Sequence, residues 1–308
     1  MGGAGSFGRV IRRARAVALV VAAVGLAGCS TFDENDAAAA VGGADISQEQ
    51  FEDTLTVLAA NSDDTGIEED VATGSVAGDT GRQVLAGLVR ATASQQYLAD
   101  HGEQVTDDDR DAVQASLPAW QRELPSDVSD LVLDFQAAGA ARGRIAAGDA
   151  QARYEESPSD LGVVCVRHIV VDTEEEAQDV LTELEGGADF AALAAERSIE
   201  PAAASTGGAL SDPQTGAPCL STAAAVQSFD PDFVAGATAA VPGEPTEPVQ
   251  SSFGWHVILA RPYSEVEDSV LSIYGARLFA QYLQTADVTV DPRYGRWDAE
   301  SGSIVTLT

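Results

Sequence analysis

Side chains able to do nucleophilic, metal or proton-transfer chemistry near neutral pH are scarce in this 308-residue chain: it has three histidines (His101, His168, His256) and three cysteines (Cys29, Cys165, Cys219). A zinc site needs several His, Cys or carboxylate donors held together, and neither a His cluster nor a closely spaced Cys pair is present, so no metal centre is expected. His101, between Asp100 and Gly102 at the end of a helical pattern, reads as a solvated cap. His168 and His256 sit in the β-branched and apolar runs 163–171 and 253–259, where a lone histidine is ordinarily a satisfied core residue. Gly3-Ala4-Gly5-Ser6-Phe7-Gly8 matches the GxGxxG dinucleotide fingerprint literally, yet no strand precedes it and an apolar leader follows, so no nucleotide site is expected. Against 49 Asp and Glu stand 17 basic residues, every one an arginine, for a formal charge of -32. Without a basic surface to displace counterions from phosphates, nucleic acid is not an expected partner.

The start of the chain reads as an address. Arg9, Arg12, Arg13 and Arg15 precede an unbroken run of small and apolar residues at 16–27, shorter than the roughly 20 apolar residues of a membrane span. The run ends in Leu26-Ala27-Gly28-Cys29, which resembles a bacterial lipobox. Residues 1–28 are therefore expected to be a lipoprotein signal peptide, Cys29 to carry the lipid anchor, and 29–40 to be a tether. Loss of the leader's arginines leaves a formal charge of about -36, which repels anionic headgroups and keeps the body off the membrane surface. The expected location is extracytoplasmic, on a bacterial cell membrane. There Cys165 and Cys219 either pair, closing a loop of about 50 residues, or stay as two separate buried thiols, and their Cα separation distinguishes the two.

The elements around these residues fall into two kinds. With 45% apolar residues the chain can bury a sizeable core, and its length suits two domains. From 41 to about 156 the pattern is mostly helical. Residues 41–46 read as a tight turn between two short extended pieces, and Ser47-x-x-Gln50 opens a helix through Phe51, Leu55 and Leu58. A Gly/Asp-rich stretch at 61–81 interrupts; helical spacing resumes from Val84 to Tyr97, Thr106-x-x-Asp109 caps another helix, and 128–147 is a further one. Between 163 and 263 strands and helices mix: a buried strand at 163–171, a helix capped by Thr173-Glu174-Glu175-Glu176, another from Ala188-Asp189-Phe190, a helix at 233–240, and closing strands at 246–249 and 253–259. A final helix is expected at 265–286 and an extended tail at 288–297.

Several of these pieces together resemble one family. Arg167-His168-Ile169-Val170-Val171, Gly187-Ala188-Asp189-Phe190, Ser198, Gly207-Gly208-x-Leu210, Phe233, Pro242-Gly243-Glu244, Pro248-Val249 and Phe253-Gly254-Trp255-His256-Val257-Ile258 follow one another as in a parvulin-type (PpiC/rotamase) peptidyl-prolyl isomerase domain. The Val41-Gly42-Gly43-Ala44-Asp45-Ile46-Ser47 opening with its helices, and a C-terminal segment that returns to them, resemble the SurA/PrsA class of exported foldases. The resemblance implies an α+β fold: a four-stranded antiparallel sheet with surrounding helices at 161–263, joined to a mainly α-helical SurA N-terminal-like, chaperone-like domain at 41–160, on which the helix and tail at 264–308 pack. It implies an isomerase or foldase without cofactor. The implied partners are unfolded or partly folded exported polypeptides with X-Pro bonds, and the membrane through the lipid anchor.

Carried over position by position, His168 and His256 match the family's paired histidines on adjacent central strands. Phe229, Phe233 and Leu210 match the proline seat, Ser251 a hydroxyl beside the site, and Glu200 the place where the family usually has Asp or Cys. Two departures stand out. The family's Gly-Gly-Asp-Leu-Gly reads Gly207-Gly208-Ala209-Leu210-Ser211, and 212–228 carries extra residues before the seat. Asp172, Glu174, Glu175 and Glu176 follow His168 where a phosphate would need basic residues, so a phospho-Ser/Thr-Pro preference is not expected. The alternative function is a non-catalytic holdase with a degenerate parvulin domain; a more distant one is a scaffold of an envelope complex.

Overall fold

A computed structural model describes residues 37–70, 75–122 and 126–307. The expected leader, Cys29 and residues 30–36 of the expected tether lie outside them. The tether's four closing alanines belong with Val41 to the first strand, β1 (Ala37–Val41), where Ala38, Ala39 and Val41 are buried. Gly42 and Gly43, both at positive φ, make the turn into β2 (Ala44–Ser47). Ser47 caps α1 (Gln48–Ala60) by accepting a hydrogen bond from the Gln50 amide at 3.0 Å. The Gly/Asp-rich interruption contains α2 (Ser62–Thr65), β3 (Glu69–Asp70) and β4 (Ser75–Val76). α3 (Gly78–Asp100) follows, then the Thr106/Asp109 capping box at the head of α4 (Asp107–Ser116), α5 (Ala119–Arg122) and α6 (Ser126–Glu156). α6 runs past the end expected at 147 because Ala146, Ala150 and Tyr154 continue its buried face.

A 3₁₀ turn, Pro158–Leu161, leads into β5 (Val163–Val164) and β6 (Val166–Val171), one β-branched run broken at Cys165. The Thr173/Glu176 capping box opens α7 (Glu174–Glu185), Asp189 caps α8 (Phe190–Arg197), and α9 (Ala203–Thr206) ends at Gly207. The segment 212–228 is not all loop: it holds β7 (Leu220–Ser221) and α10 (Thr222–Ser228), capped by the Ser221 hydroxyl. α11 (Pro231–Ala239), β8 (Val249–Ser251) and β9 (Gly254–Ala260) complete this part. β9 pairs antiparallel with β6 on one side and β8 on the other, while β5 pairs with β7. Across the break at Cys165 the four strands thus run β7, β5/β6, β9, β8, as a three-stranded sheet with a two-stranded extension. β8 begins later than the expected 246–249 strand because Pro248 has no amide to donate. Thr246 bonds β9 twice instead, its amide donating to the Ile258 carbonyl at 2.8 Å and its hydroxyl accepting from the Ile258 amide at 3.0 Å.

α12 (Tyr263–Thr285) lies along α6, with Val266, Val270 and Tyr274 packed against Ala146, Ala150 and Tyr154. The expected extended tail is three strands: β10 (Val288–Val290) pairs antiparallel with β1, and β11 (Arg296–Asp298) with β12 (Ser303–Val305) forms a hairpin that brings Ile304 into the cluster of Leu85, Val89 and Phe279. The sheet β6-β9-β8 is covered on one face by α7 and α8 through Val180, Leu181, Phe190 and Leu193. On the other face α11 brings Phe233, Val234 and Ala237 onto Val166 and Ile258. Among the described residues no helix is long and apolar enough to cross a membrane.

Candidate active site

Alternation along β6 and β9 sends every second side chain to one face. The register sets His168 opposite Ile258 and Val170 opposite His256, so the two histidines are diagonal neighbours on the α11 side of the sheet. Their rings stack at 5.5 Å and 19°, with Nδ1 atoms 3.3 Å apart, and both are buried. Glu200 Oε2 lies 3.1 Å from His168 Nε2, Ser251 Oγ lies 2.8 Å from His256 Nε2, and the Phe253 amide donates to Ser251 Oγ at 3.0 Å. With both imidazoles neutral, each has one donor and one acceptor nitrogen, and the network then has a single direction. The Ser251 hydroxyl donates to His256 Nε2, His256 Nδ1 donates to His168 Nδ1, and His168 Nε2 donates to the Glu200 carboxylate.

Electrostatics agree with that direction. Burial, reinforced by the neighbouring His168, pushes His256 down to about 4, against the pull of Asp230 and Glu200. At neutral pH His256 is therefore uncharged. The hydrogen bond from His168 holds the Glu200 carboxyl below its ordinary value despite partial burial, so Glu200 is an anion.

The network borders a cavity of about 410 Å³ in which the side chains selected from the sequence meet: His168, Glu200, Leu210, Phe229, Phe233, Ser251 and His256. Phe233 packs 5.2 Å from the His168 ring and 5.0 Å from His256, with Phe229 5.8 Å behind it. Val170, Ile199, Pro201, Asp230 and Phe253 also line the cavity and were not singled out. Phe253 falls in the expected strand at 253–259, but β9 starts at Gly254 and leaves Phe253 73% exposed; Ile199, at 48%, is the other exposed large apolar residue of the lining. A readable signal existed for Asp230: an acid immediately before a proline at a helix start is an N-cap pattern.

Backbone contacts hold the walls. Ile199 N–H donates to the Val170 carbonyl at 2.8 Å and Ser198 Oγ accepts from the Val170 amide at 3.2 Å, which fixes the loop carrying Glu200 against β6. The altered glycine loop lies along the same strand: His168 N–H donates to Gly208 O at 2.8 Å and Leu210 N–H to Val166 O at 3.0 Å. Gly208, at φ +74, approaches so closely that a Cβ there would lie 2.4 Å from the His168 carbonyl oxygen. Asp230 caps α11 through the Asp232 amide at 3.0 Å and accepts from the Ser252 hydroxyl at 2.6 Å, tying Phe233 to the β8–β9 turn.

Cys165 and Cys219 are joined in a disulfide, with Cα atoms 4.3 Å apart, and both are buried. The bridge links the β5/β6 break, just before His168, to the start of β7 and so to α10 and Phe229. His101 is remote from the cavity lining; it caps α3 and its Nδ1 lies 2.7 Å from the Tyr97 carbonyl. Among the described residues no group of three or more His, Cys, Asp or Glu could hold a metal ion.

Residues 170–261 match the family described as Rotamase, PPIC-type PPIASE domain. Among curated relatives, the foldase protein PrsA of Halalkalibacterium halodurans is 35% identical over 124 residues, which cover 39% of this chain and 34% of that protein. A parvulin-like PPIase of Rickettsia bellii is 28% identical over 147 residues, covering 45% of this chain and 49% of the relative. The chain thus spans about a third to a half of the length of the relatives it matches. Among solved structures, PrsA from Bacillus subtilis is 20% identical, covering 82% of this chain and 93% of that one at a TM-score of 0.29.

Proposed function

We propose, on the premise that residues 170–261 form a parvulin-type rotamase domain homologous to exported PrsA-family foldases, that this chain is a peptidyl-prolyl cis-trans isomerase assisting the folding of exported proteins. One observation carries the reading: the hydrogen-bonded series Glu200, His168, His256, Ser251 borders an apolar cavity walled by Phe229, Phe233 and Leu210. Rotation about a peptide bond faces a barrier of about 18–20 kcal/mol because resonance holds it planar. The uncatalysed X-Pro exchange takes tens to hundreds of seconds. Twisting the amide removes that resonance and with it much of the charge separation between oxygen and nitrogen. An apolar, water-poor seat therefore favours the twisted amide over the planar one. Rotation breaks no σ bond, so the chemistry asks for no nucleophile or cofactor.

In this reading the Phe233 and Phe229 rings seat the pyrrolidine ring, with Leu210 closing the side. Neutral His256 keeps a cation out of the seat, and Glu200 and Ser251 hold the two imidazoles in one tautomer as fixed dipoles. The departure at Ala209 leaves the backbone contacts of Gly208 and Leu210 with β6 in place, which supports an intact pocket. A non-catalytic holdase is the second reading, favoured by the exposed Phe253 and Ile199 at the cavity mouth. Refolding of a denatured client whose slow phase is proline-limited separates the two. An isomerase speeds that phase at substoichiometric concentration; a holdase lowers aggregation without changing the rate.

We also propose residues 1–28 as a lipoprotein signal peptide, 29–40 as a tether, 41–160 as a chaperone-like domain, and 161–263 as the isomerase inserted before the returning segment 264–308. The pairing of β10 with β1 and the cluster shared by Leu85, Val89, Phe279, Leu283 and Ile304 support joining the last segment to the first domain. Lipidation of Cys29 would put the chain on the extracytoplasmic face of a bacterial membrane. Cys29→Ser then moves it from the membrane to the soluble fraction, and unchanged partition would overturn the anchor.

A further inference from the structure

The charge of the cavity points to the kind of segment it accepts; this deepens the isomerase reading and rests on it for a proline-containing peptide as occupant. Two carboxylates line the cavity from different elements, Glu200 from the loop after α8 and Asp230 from the head of α11, and among the described residues no arginine lines it. The chain contains no lysine at all. The arginines on neighbouring elements are engaged elsewhere: Arg167 with Glu265 at 2.8 Å, and Arg197 with Glu183. Asp230 spends its hydrogen bonds on the Asp232 amide and on the Ser252 amide and hydroxyl, neutral donors that leave its charge uncancelled, while the only side chain bonded to Glu200 among the described residues is His168. At the mouth the exposed side chains of Ile199 and Phe253 offer apolar surface and a ring face beside those charges. That combination suits a long cationic side chain, whose methylene stem covers apolar surface while its head meets a carboxylate or an aromatic face.

We propose that Glu200 and Asp230 are specificity-determining residues, and that the pocket selects X-Pro segments bearing an arginine or lysine next to the proline. The strongly anionic body steers the same segments toward the site and repels acidic ones. Both carboxylates are partly solvated, so the selectivity is moderate and weakens with salt.

The test uses the full chain and two peptide series, Ala-Xaa-Pro-Ala and Ala-Ala-Pro-Xaa, with Xaa arginine, leucine or glutamate. Binding is read by NMR titration and kcat/KM by exchange, at low and high salt. At low salt the arginine peptide of at least one series is expected to bind and turn over roughly fivefold better than leucine, and glutamate to be worst, with the gap closing at high salt. In Glu200→Gln/Asp230→Asn the arginine advantage disappears; asparagine still caps α11, so a lost fold is not the cause. In Glu200→Asp/Asp230→Glu, which keeps both charges, part of the advantage remains. Equal or leucine-favoured binding in both series, or no binding of any peptide, overturns the proposal. Preferential binding of the arginine peptide without acceleration supports it while removing the isomerase reading.

Discussion

Replacing Cys165 and Cys219 together by alanine opens a covalent loop that the fold uses to hold one wall of the cavity. The bridged residues are 54 apart in sequence. For a loop of that size the chain-entropy estimate is about 14 cal/mol/K, or about 4 kcal/mol at 25 °C, lost from the folded state's advantage over the unfolded chain. The two sulfurs are buried, so small packing losses add to this, while residual structure in the unfolded chain subtracts. The expected cost is roughly 2–5 kcal/mol, a large share of the stability of an ordinary domain. Equilibrium denaturant unfolding of residues 30–308, which lack Cys29, followed by circular dichroism, measures it. The Cys165→Ala/Cys219→Ala variant and the wild-type chain under reductant should fall by similar amounts, and a thiol titration of the denatured, unreduced wild type should find no free thiol. A variant within 1 kcal/mol of wild type by this estimate, or two titratable thiols, would refute the reasoning.

Two further outcomes follow from the site's geometry. His256 is held near 4 in the folded chain and titrates near 6.5 when unfolded. Between those values the unfolded chain binds a proton that the folded one does not, so stability falls as pH falls from 6.5 toward 4, by up to about 1.4 kcal/mol per pH unit, and is full above 6.5. His256→Gln should flatten that window relative to wild type, with the many carboxylates cancelling in the comparison; an unchanged slope would assign it elsewhere. Gly208→Ala places a Cβ 2.4 Å from the His168 carbonyl oxygen at φ +74, whereas Gly243→Ala, at φ +88, meets nothing within 4 Å. The first should cost about 2 kcal/mol or more and shift the His168 and His256 NMR signals, the second about 1 kcal/mol with those signals unmoved. Equal costs with no spectral change would contradict the close approach of the glycine loop.

Local hydrogen bonding and periodicity were readable in the chain. The capping boxes at Thr106/Asp109 and Thr173/Glu176 and the Gly42-Gly43 turn depend on residues a few positions apart and formed as read, while the β-branched run holding His168 formed strand but is broken at Cys165. Contacts between distant segments were harder. Nothing local in 288–297 says that Val288–Val290 will find Ala39–Val41, and the alanines read as tether carry no side-chain pattern until that partner is present. α6 runs past the expected end at 147 and through Gly148, where helix propensity is poor, because packing of Ala150 and Tyr154 on α12 prevails. The site residues came through the family resemblance more than through their own chemistry. Asp230 lies just before the expected helix at 233–240 and Phe253 inside the expected strand at 253–259, and only the folded turn brings both to the cavity.

The most direct measurement is cis/trans exchange of a short X-Pro peptide by NMR, with residues 30–308, the His168→Ala/His256→Ala variant and Phe233→Ala. The account expects acceleration by the wild-type chain at catalytic concentration and its loss in both variants while the proteins stay folded. Exchange no faster than in buffer, or acceleration that survives both variants, would contradict the assignment of the cavity as an isomerase site.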